Sequence, residues 1–178
     1  MVRGTGRIAA LAAALLVLAA PGSGSAGSQG AVGPAGRLQA ALVEQVNALR
    51  TAHGLSRLRA SAALAAAAAA HSSQMARLGY FSHNSANGAS FSQRLAYYYR
   101  ARGYRRWTVG ENLVWASPDL GAARALNLWL ASPPHRAILL DPRWRELGLA
   151  AVHSTSAPGV YGNRPATIIT ADFGARTR

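Results

Sequence analysis

The order of two hydrophobic patterns along the chain limits its fold more than any other feature. Apolar residues at helical spacing come first, namely Leu38, Leu42, Val46 and Leu49. Gly54 is placed to end that helix. Apolar runs typical of buried strands come last, at 147–152 and 166–173. Because helices come first and strands late, the pattern predicts an α+β domain with helices packed over a small sheet.

Two further helices have clear capping signals. Ser61 can cap an alanine-rich helix that Gly79 ends. Ser90 and Gln93 form a capping box in front of a helix predicted at 91–102.

The next segment changes character. Residues 106–115 suggest short extended pieces around Gly110-Glu111-Asn112. A fourth helix is predicted to start at Ser117-Pro118 and to stop at Pro133-Pro134, with one more helical turn at 135–140.

The N-terminal region has the composition of a bacterial secretory signal. Arg3 and Arg7 precede an unbroken apolar run at 8–20, and a small-residue stretch ending at Ser25-Ala26 follows. That run is shorter than the roughly 20 residues that span a bilayer. We therefore expect a signal peptide at 1–26, a flexible linker at 27–36 and a domain at 37–178. The mature protein is expected to be secreted or held in the cell envelope, with no transmembrane segment.

The cysteine content bears on how the protein is stabilised, and its charge limits the classes of partner that it can bind. The chain has no cysteine, so an exported form depends on its core rather than on disulfides. Loss of Arg3 and Arg7 with the leader leaves seventeen arginines against six acids, a net charge near +11. Such a surface attracts anionic lipids and acidic cell-envelope polymers. The arginines are scattered and no nucleic-acid motif is present, which argues against a specific nucleic-acid partner.

Five pieces of sequence occur together in one order between about Leu38 and Gly174. They are Val46-Asn47 to Arg50 with Gly54-Leu55; Ala70-His71-Ser72 to Met75-Ala76; Tyr80-Phe81-Ser82-His83; Val109-Gly110-Glu111-Asn112-Leu113; and Trp129 to Arg136 with Leu140 and Glu146 to Leu149. In this order they resemble bacterial members of the CAP superfamily, the group of cysteine-rich secretory proteins, venom antigens and plant pathogenesis-related proteins. The resemblance implies a three-layer α-β-α sandwich with a small antiparallel sheet, secretion, and a cleft over one face of the sheet.

The same resemblance assigns candidate site residues. In that family the cleft holds two histidines and two acids. By motif position, His83 matches the first histidine, Glu111 the first acid and His135 the second histidine, whereas Ser132 stands where the second acid is expected. Two neutral imidazoles and one carboxylate could bind zinc or another divalent metal with a position left open. His83, Glu111 and His135 are therefore both the candidate cleft residues and the candidate metal ligands, although no local spacing demonstrates a metal site.

Each polar residue also has a structural interpretation. The Glu111 carboxylate could instead accept backbone N–H groups and brace a turn around Gly110. His71 is expected to be a packed histidine bonded to a neighbouring carbonyl, and His53 and His153 are expected at the surface.

Two serines and a tyrosine triplet are further candidate functional residues. Ser82 and Ser132 each lie near a candidate histidine, but no nucleophile elbow or triad pattern accompanies them. The Tyr97–Tyr99 triplet is expected to serve mainly core and rim and to expose at least one ring, which could serve a ligand.

Two functions remain open from the sequence. The first is a non-enzymatic extracellular binding module for a lipid-like, cell-wall or protein ligand. The second is a metal-dependent hydrolase using His83, Glu111 and His135. The first is favoured because the CAP scaffold is linked to varied binding roles rather than to one reaction. The serine at position 132 counts against the second.

Overall fold

The structure, a computed structural model, describes residues 34–178, so the predicted signal peptide and the linker before Pro34 lie outside the described residues. The elements are α1 (Pro34–Ala52), β1 (Arg59–Ala60), α2 (Ala62–Leu78), α3 (Phe91–Tyr98), β2 (Arg106–Ala116), α4 (Ala122–Ala131), α5 (Pro133–Leu139), β3 (Glu146–Ala157), a 3-10 turn (Gly159–Tyr161) and β4 (Arg164–Thr177). The first turn of α1 takes up the last three residues of the predicted linker.

The four strands form one sheet in the order β1-β3-β4-β2. β4 pairs antiparallel with both β2 and β3, and the two-residue β1 adds a parallel pair at the edge of β3. The sheet is therefore antiparallel except for one short pair that sequence analysis did not find. β2 is an end strand, and one of its edges has no neighbouring strand in this sheet.

Helices cover both faces of this sheet. Neighbouring residues of a strand point to opposite faces. Accordingly, Ile169 packs in a cluster with α1, α4 and α5, whereas Ile168 packs with residues of α2. α3 packs beside α2 through Leu95 and Tyr99, next to Leu64. The predicted α+β class and three-layer sandwich are confirmed.

Close packing of α2 on the sheet depends on one glycine. A Cβ added at Gly148 in β3 would lie 2.1 Å from the backbone of Leu64 and Ala65. Any side chain there would push α2 off the sheet, because the contact is with backbone atoms that cannot rotate away.

The opening motif of α1 has a structural role. The Asn47 side chain accepts from the backbone N–H of Leu58 and donates to its carbonyl. The fully buried Arg50 guanidinium donates to the carbonyls of Leu139 and Asp141 at the end of α5. These two residues fix the chain after α1 and hold α1 to α5.

The predicted caps of α2 are confirmed. The Ser61 side chain accepts from the backbone N–H of Leu64, and Gly79 adopts a left-handed conformation with φ 74° while its N–H donates to Met75. The Ser90–Gln93 capping box at the start of α3 is also present.

The predicted end of α3 at residue 102 is wrong. The helix ends at Tyr98, because the next residue, Tyr99, turns into the core and is fully buried. There its ring packs beneath the Arg176 guanidinium, 3.7 Å from the ring centroid, and lies where a Cβ on Gly174 would stand. Tertiary packing thus ends the helix earlier than the sequence pattern indicates.

Two further boundaries differ. β2 is one continuous strand rather than several short pieces, because every residue of 106–116 pairs with β4. α4 begins at Ala122, with Gly121 as its N-cap, rather than at Ser117-Pro118. The intervening Leu120 is buried in the core, so this segment packs before the helix starts. Among the described residues, no helix is long and apolar enough to cross a membrane.

Candidate functional site

Glu111 lies in the middle of β2 with its side chain fully buried. His83, from the loop after α2, donates from Nδ1 to Oε1 at 2.8 Å. Arg94, from α3, donates from Nη2 to Oε2 and forms an ion pair with it. The carboxylate is thus held by two side chains from two separate elements.

The alternative interpretation of Glu111 as a backbone brace is wrong. Both Glu111 and Gly110 lie inside a regular strand rather than in a turn. The recorded partners of the carboxylate are side chains, His83 and Arg94.

Arg94 is a site residue that sequence analysis missed. Its side chain is only 8% exposed, and its Nη1 also donates to the carbonyl of His83 and to the hydroxyl of Ser85, both at 3.0 Å. It therefore fixes the loop that carries His83. The capping box placed Arg94 on a helix, but nothing in the sequence indicated that it reaches Glu111.

Asp172 is a second acid beside Glu111, and it was also missed. The two residues are register partners on β4 and β2, so their side chains lie on the same face of the sheet. Asp172 is fully buried, and among the described residues its carboxyl group has no hydrogen-bonding neighbour besides Glu111. Burial, and next the neighbouring Glu111 carboxylate, raise the pKa of Asp172 well above its ordinary value. The sequence did contain a signal for Asp172, because it is the one acid inside the apolar run 166–173 and a buried acid needs partners.

Ser132 stands at the position where the family resemblance predicts the second acid, and in the structure it lies between α4 and α5. It ends α4 and occupies the N-cap position of α5, where its side chain makes no capping hydrogen bond. The second acid of this site therefore comes from β4, in contact with Glu111, and not from the end of α4.

His135 lies on α5, and its carbonyl accepts a hydrogen bond of 3.0 Å from Asn112. Asn112 follows Glu111 in β2, so the two side chains point to opposite faces. Burial, and next the charge of His83, lower the pKa of His135. The structure thus brings His83 and Glu111 into contact, whereas His135 has no hydrogen bond to either and approaches His83 closely enough to feel its charge.

The predicted metal site gains no support from this arrangement. Within residues 34–178, no group of three or more His, Cys, Asp or Glu side chains could hold a metal ion. The Arg94 guanidinium already supplies a positive charge to one oxygen of Glu111, and His83 directs Nδ1 to the other.

The remaining histidines agree with their predicted places. Nε2 of the buried His71 lies 2.9 Å from the Ser82 carbonyl, which confirms a packed histidine bonded to a neighbouring carbonyl. His53 and His153 are exposed, as predicted.

The tyrosine triplet also agrees with its prediction. Tyr99 is buried and Tyr97 is 70% exposed.

The hydroxyls of Ser82 and Ser132 make no hydrogen bond to a histidine in the described chain, so neither has a base positioned to activate it.

A cleft of about 620 Å³ runs along the free edge of β2. Residues from the two helical layers line it: His83, Phe91, Val109, Glu111, Ile138 and Trp144. Its walls mix apolar and aromatic side chains with polar and charged ones, which are His83, Asn84, Ser90, Thr108, Glu111, Asp141 and Arg143. This cleft, which we call the β2 cleft, has the size and composition of a small-molecule site.

The α-β-α sandwich is that of a CAP-type domain. Residues 43–171 match the model of the CAP family, described as the cysteine-rich secretory protein family, and the chain belongs to it. A search of curated proteins finds no match.

Solved structures agree with this assignment. An extracellular protein containing an SCP domain from Bacillus anthracis is 25% identical with a TM-score of 0.62, over 84% of this chain and 45% of its own. This chain therefore spans less than half of that protein. An outer surface protein from Borrelia burgdorferi is 20% identical with a TM-score of 0.62, over 76% of this chain and 90% of its own. A cysteine-rich secretory protein from Staphylococcus aureus is 19% identical with a TM-score of 0.56, over 83% of this chain and 41% of its own.

Proposed function

We propose that this chain is a secreted binding module whose β2 cleft receives an amphipathic, lipid-like ligand of the cell envelope, without catalysis. The observation that carries the proposal is the cleft itself. Its volume of about 620 Å³ lies within the range of roughly 300–1,000 Å³ typical of ligand sites. Secretion is supported by the signal-like leader and by the extracellular or outer-surface description of two similar structures.

The lining favours a ligand with one apolar and one polar part. Phe91, Val109 and Ile138, which are only partly buried, offer apolar surface to an acyl or isoprenoid chain. His83 lies in the same cleft with about half of its side chain exposed. Because its Nδ1 is occupied by Glu111, its Nε2 remains for a ligand head group.

The charged groups suit a binding role better than a hydrolytic one. A catalytic base needs a carboxylate or imidazole within reach of a reacting water or substrate. Glu111 is fully buried and paired with Arg94, and within residues 34–178 no group of three or more His, Cys, Asp or Glu side chains could hold a metal ion, so the metal-dependent hydrolase has no support in this geometry.

The test fills the cleft with one substitution. Ala137 is exposed on α5 and lines the cleft, so Ala137→Trp places a bulky ring in it without disturbing the core. Protein secreted by the producing cells would be extracted with organic solvent and its lipids identified by mass spectrometry. We expect a lipid-like molecule from the wild type and its loss from Ala137→Trp.

Ala123→Trp is the matched control, since Ala123 is an exposed alanine on α4 that does not line the cleft. It should retain the molecule at the wild-type level. Equal recovery from both variants, or no lipid from the wild type, would contradict the proposal.

A further inference from the structure

A second cleft, of about 260 Å³, lies between α2 and α3 on the outer side of this layer. We call it the α2–α3 cleft. Its lining differs from that of the β2 cleft, because amide and tyrosine side chains dominate. The residues that matter here are His71, Gln74, Asn87, Gln93, Arg94 and Tyr97.

Two residues that line this cleft each have a buried polar atom without a partner among the described residues. These atoms are Nδ1 of His71, a residue only 1% exposed, and Nε of Arg94. Burial, and next the Arg94 charge, lower the pKa of His71, so its ring is neutral at pH 7. Because Nε2 donates to the Ser82 carbonyl, Nδ1 carries a lone pair and accepts. Nε of Arg94 carries a hydrogen and donates.

An unpaired acceptor and an unpaired donor on two residues that line one cleft suit a hydroxyl group, which both donates and accepts. Buried polar atoms are costly when unpaired, so a ligand that satisfies both gains their hydrogen bonds on binding.

Three side-chain amides add donors to the same cleft. The side-chain oxygens of Gln74, Asn87 and Gln93 each accept a backbone N–H from the loop 86–90. Their orientation is thereby set, and each amino group makes no hydrogen bond to another described residue. The cleft therefore offers several fixed donors to a ligand rich in oxygen acceptors.

Two tyrosines complete the cleft. Tyr97 and Tyr98 line it, with ring centroids 5.1 Å apart in an edge-to-face contact. Tyr97 is 70% exposed, so most of its ring faces solvent despite the contact with Tyr98. An exposed tyrosine face beside fixed polar groups can pack against the C–H face of a sugar ring.

We propose that the α2–α3 cleft binds a saccharide unit, with Tyr97 against the face of the sugar and with His71, Arg94 and the amides bonded to its oxygen atoms. The site is separate from the β2 cleft and does not depend on the function proposed for it.

The test uses the secreted domain with two neutral probes, chitotriose and maltotriose, at millimolar concentration. Binding would be followed by shifts of assigned backbone amide resonances in ¹H–¹⁵N NMR spectra. We expect at least one probe to bind and to shift resonances of α2, α3 and the loop 86–90. Which probe binds distinguishes an N-acetylated sugar from a plain one.

Variants decide whether the cleft is responsible. Tyr97→Ala should weaken binding about tenfold or more, whereas Tyr97→Phe should stay within about twofold, because the ring face is retained. Gln74→Glu keeps an acceptor for the loop but removes the amide donor, and should also weaken binding. Gln39→Glu is its matched control on α1 and should leave binding unchanged.

Thermal unfolding of each variant would show that it is folded. Failure of both probes to bind, or binding that Tyr97→Ala and Gln74→Glu leave unchanged, would overturn the proposal. Ala137→Trp should not alter saccharide binding, so the two sites are tested separately.

Discussion

At the scale of single residues, the site depends on how two acids, Glu111 and Asp172, share a buried space with Arg94. Glu111 pairs with Arg94 and His83, and Asp172 lies beside Glu111 without a described ion pair of its own. Arg94 thus neutralises one carboxylate, and the second carboxyl group lowers its energy by keeping its proton.

Glu111→Ala tests the buried pair. The substitution leaves the Arg94 guanidinium, only 8% exposed, without its partner. We expect a loss of about 3–5 kcal/mol in the free energy of unfolding, the usual result of breaking a buried ion pair. Urea unfolding measures it.

Glu44→Ala is the matched control. Glu44 pairs with Arg57 at the surface, where both side chains are more than half exposed. Its removal should cost less than about 1 kcal/mol. Equal losses in the two variants would show that the Glu111 pair contributes no more than a surface pair.

Asp172→Asn tests the protonated acid. Because the pKa of Asp172 is higher in the folded than in the unfolded chain, its contribution to stability is fully present below its unfolded pKa and is lost as pH rises towards the folded pKa. Wild type should therefore lose stability relative to Asp172→Asn as pH rises from about 4, by at most about 1.4 kcal/mol per pH unit for one proton.

Stability would be measured by urea unfolding at pH 4 to 9, and the difference between the two proteins isolates this group. Asp119→Asn, at an exposed acid, should show no such trend. A difference that stays constant across this range would mean that Asp172 is ionised in the folded protein.

The sequence identified half of this charge cluster. His83 and Glu111 could be assigned because each lies in a recognisable motif. Arg94 and Asp172 could not, because each reaches Glu111 only through the packing of α3 and the register of β4 on β2. The motif of His135 predicts that it lies in the same cleft. In the structure its carbonyl accepts a hydrogen bond from Asn112, whose side chain is on the face of β2 opposite to Glu111.

At the scale of elements, the contact of α2 with the sheet is the tightest constraint. Gly148→Ala would place a methyl group 2.1 Å from the backbone of α2. We expect a loss of about 3 kcal/mol, because neither backbone can move without opening the layer. Thermal unfolding would measure it.

Gly121→Ala is the control, since nothing lies within 4 Å of the added Cβ. It changes only an N-cap and should cost less than about 1 kcal/mol. A Gly148→Ala protein as stable as Gly121→Ala would show that α2 packs farther from β3 than the structure indicates.

Helix α2 could be predicted to the residue because its caps are local, Ser61 at one end and Gly79 at the other. The end of α3 and the start of α4 could not, because buried Tyr99 and Leu120 decide them through contacts with distant parts of the chain. β1 was missed because two residues carry no pattern and form a strand only by pairing with β3.

At the scale of the whole molecule, the signal peptide that the sequence predicts would decide where the domain acts. Export should remove about the first 26 residues, so N-terminal sequencing of protein from culture medium should find a start between Pro21 and Gln29. A chain that still begins at Met1 and stays with the membrane fraction would contradict secretion.

The central claim is that the β2 cleft holds a ligand of the cell envelope. The most direct measurement is a ¹H–¹⁵N NMR titration of the secreted domain, first freed of lipid on a hydrophobic resin, with the total lipid extract of the producing cells. We predict saturable shifts of the Trp144 indole N–H and of the backbone amides of Val109 and Gly110, which line the cleft. Resonances that do not move, or shifts confined to residues outside this cleft, would contradict the claim.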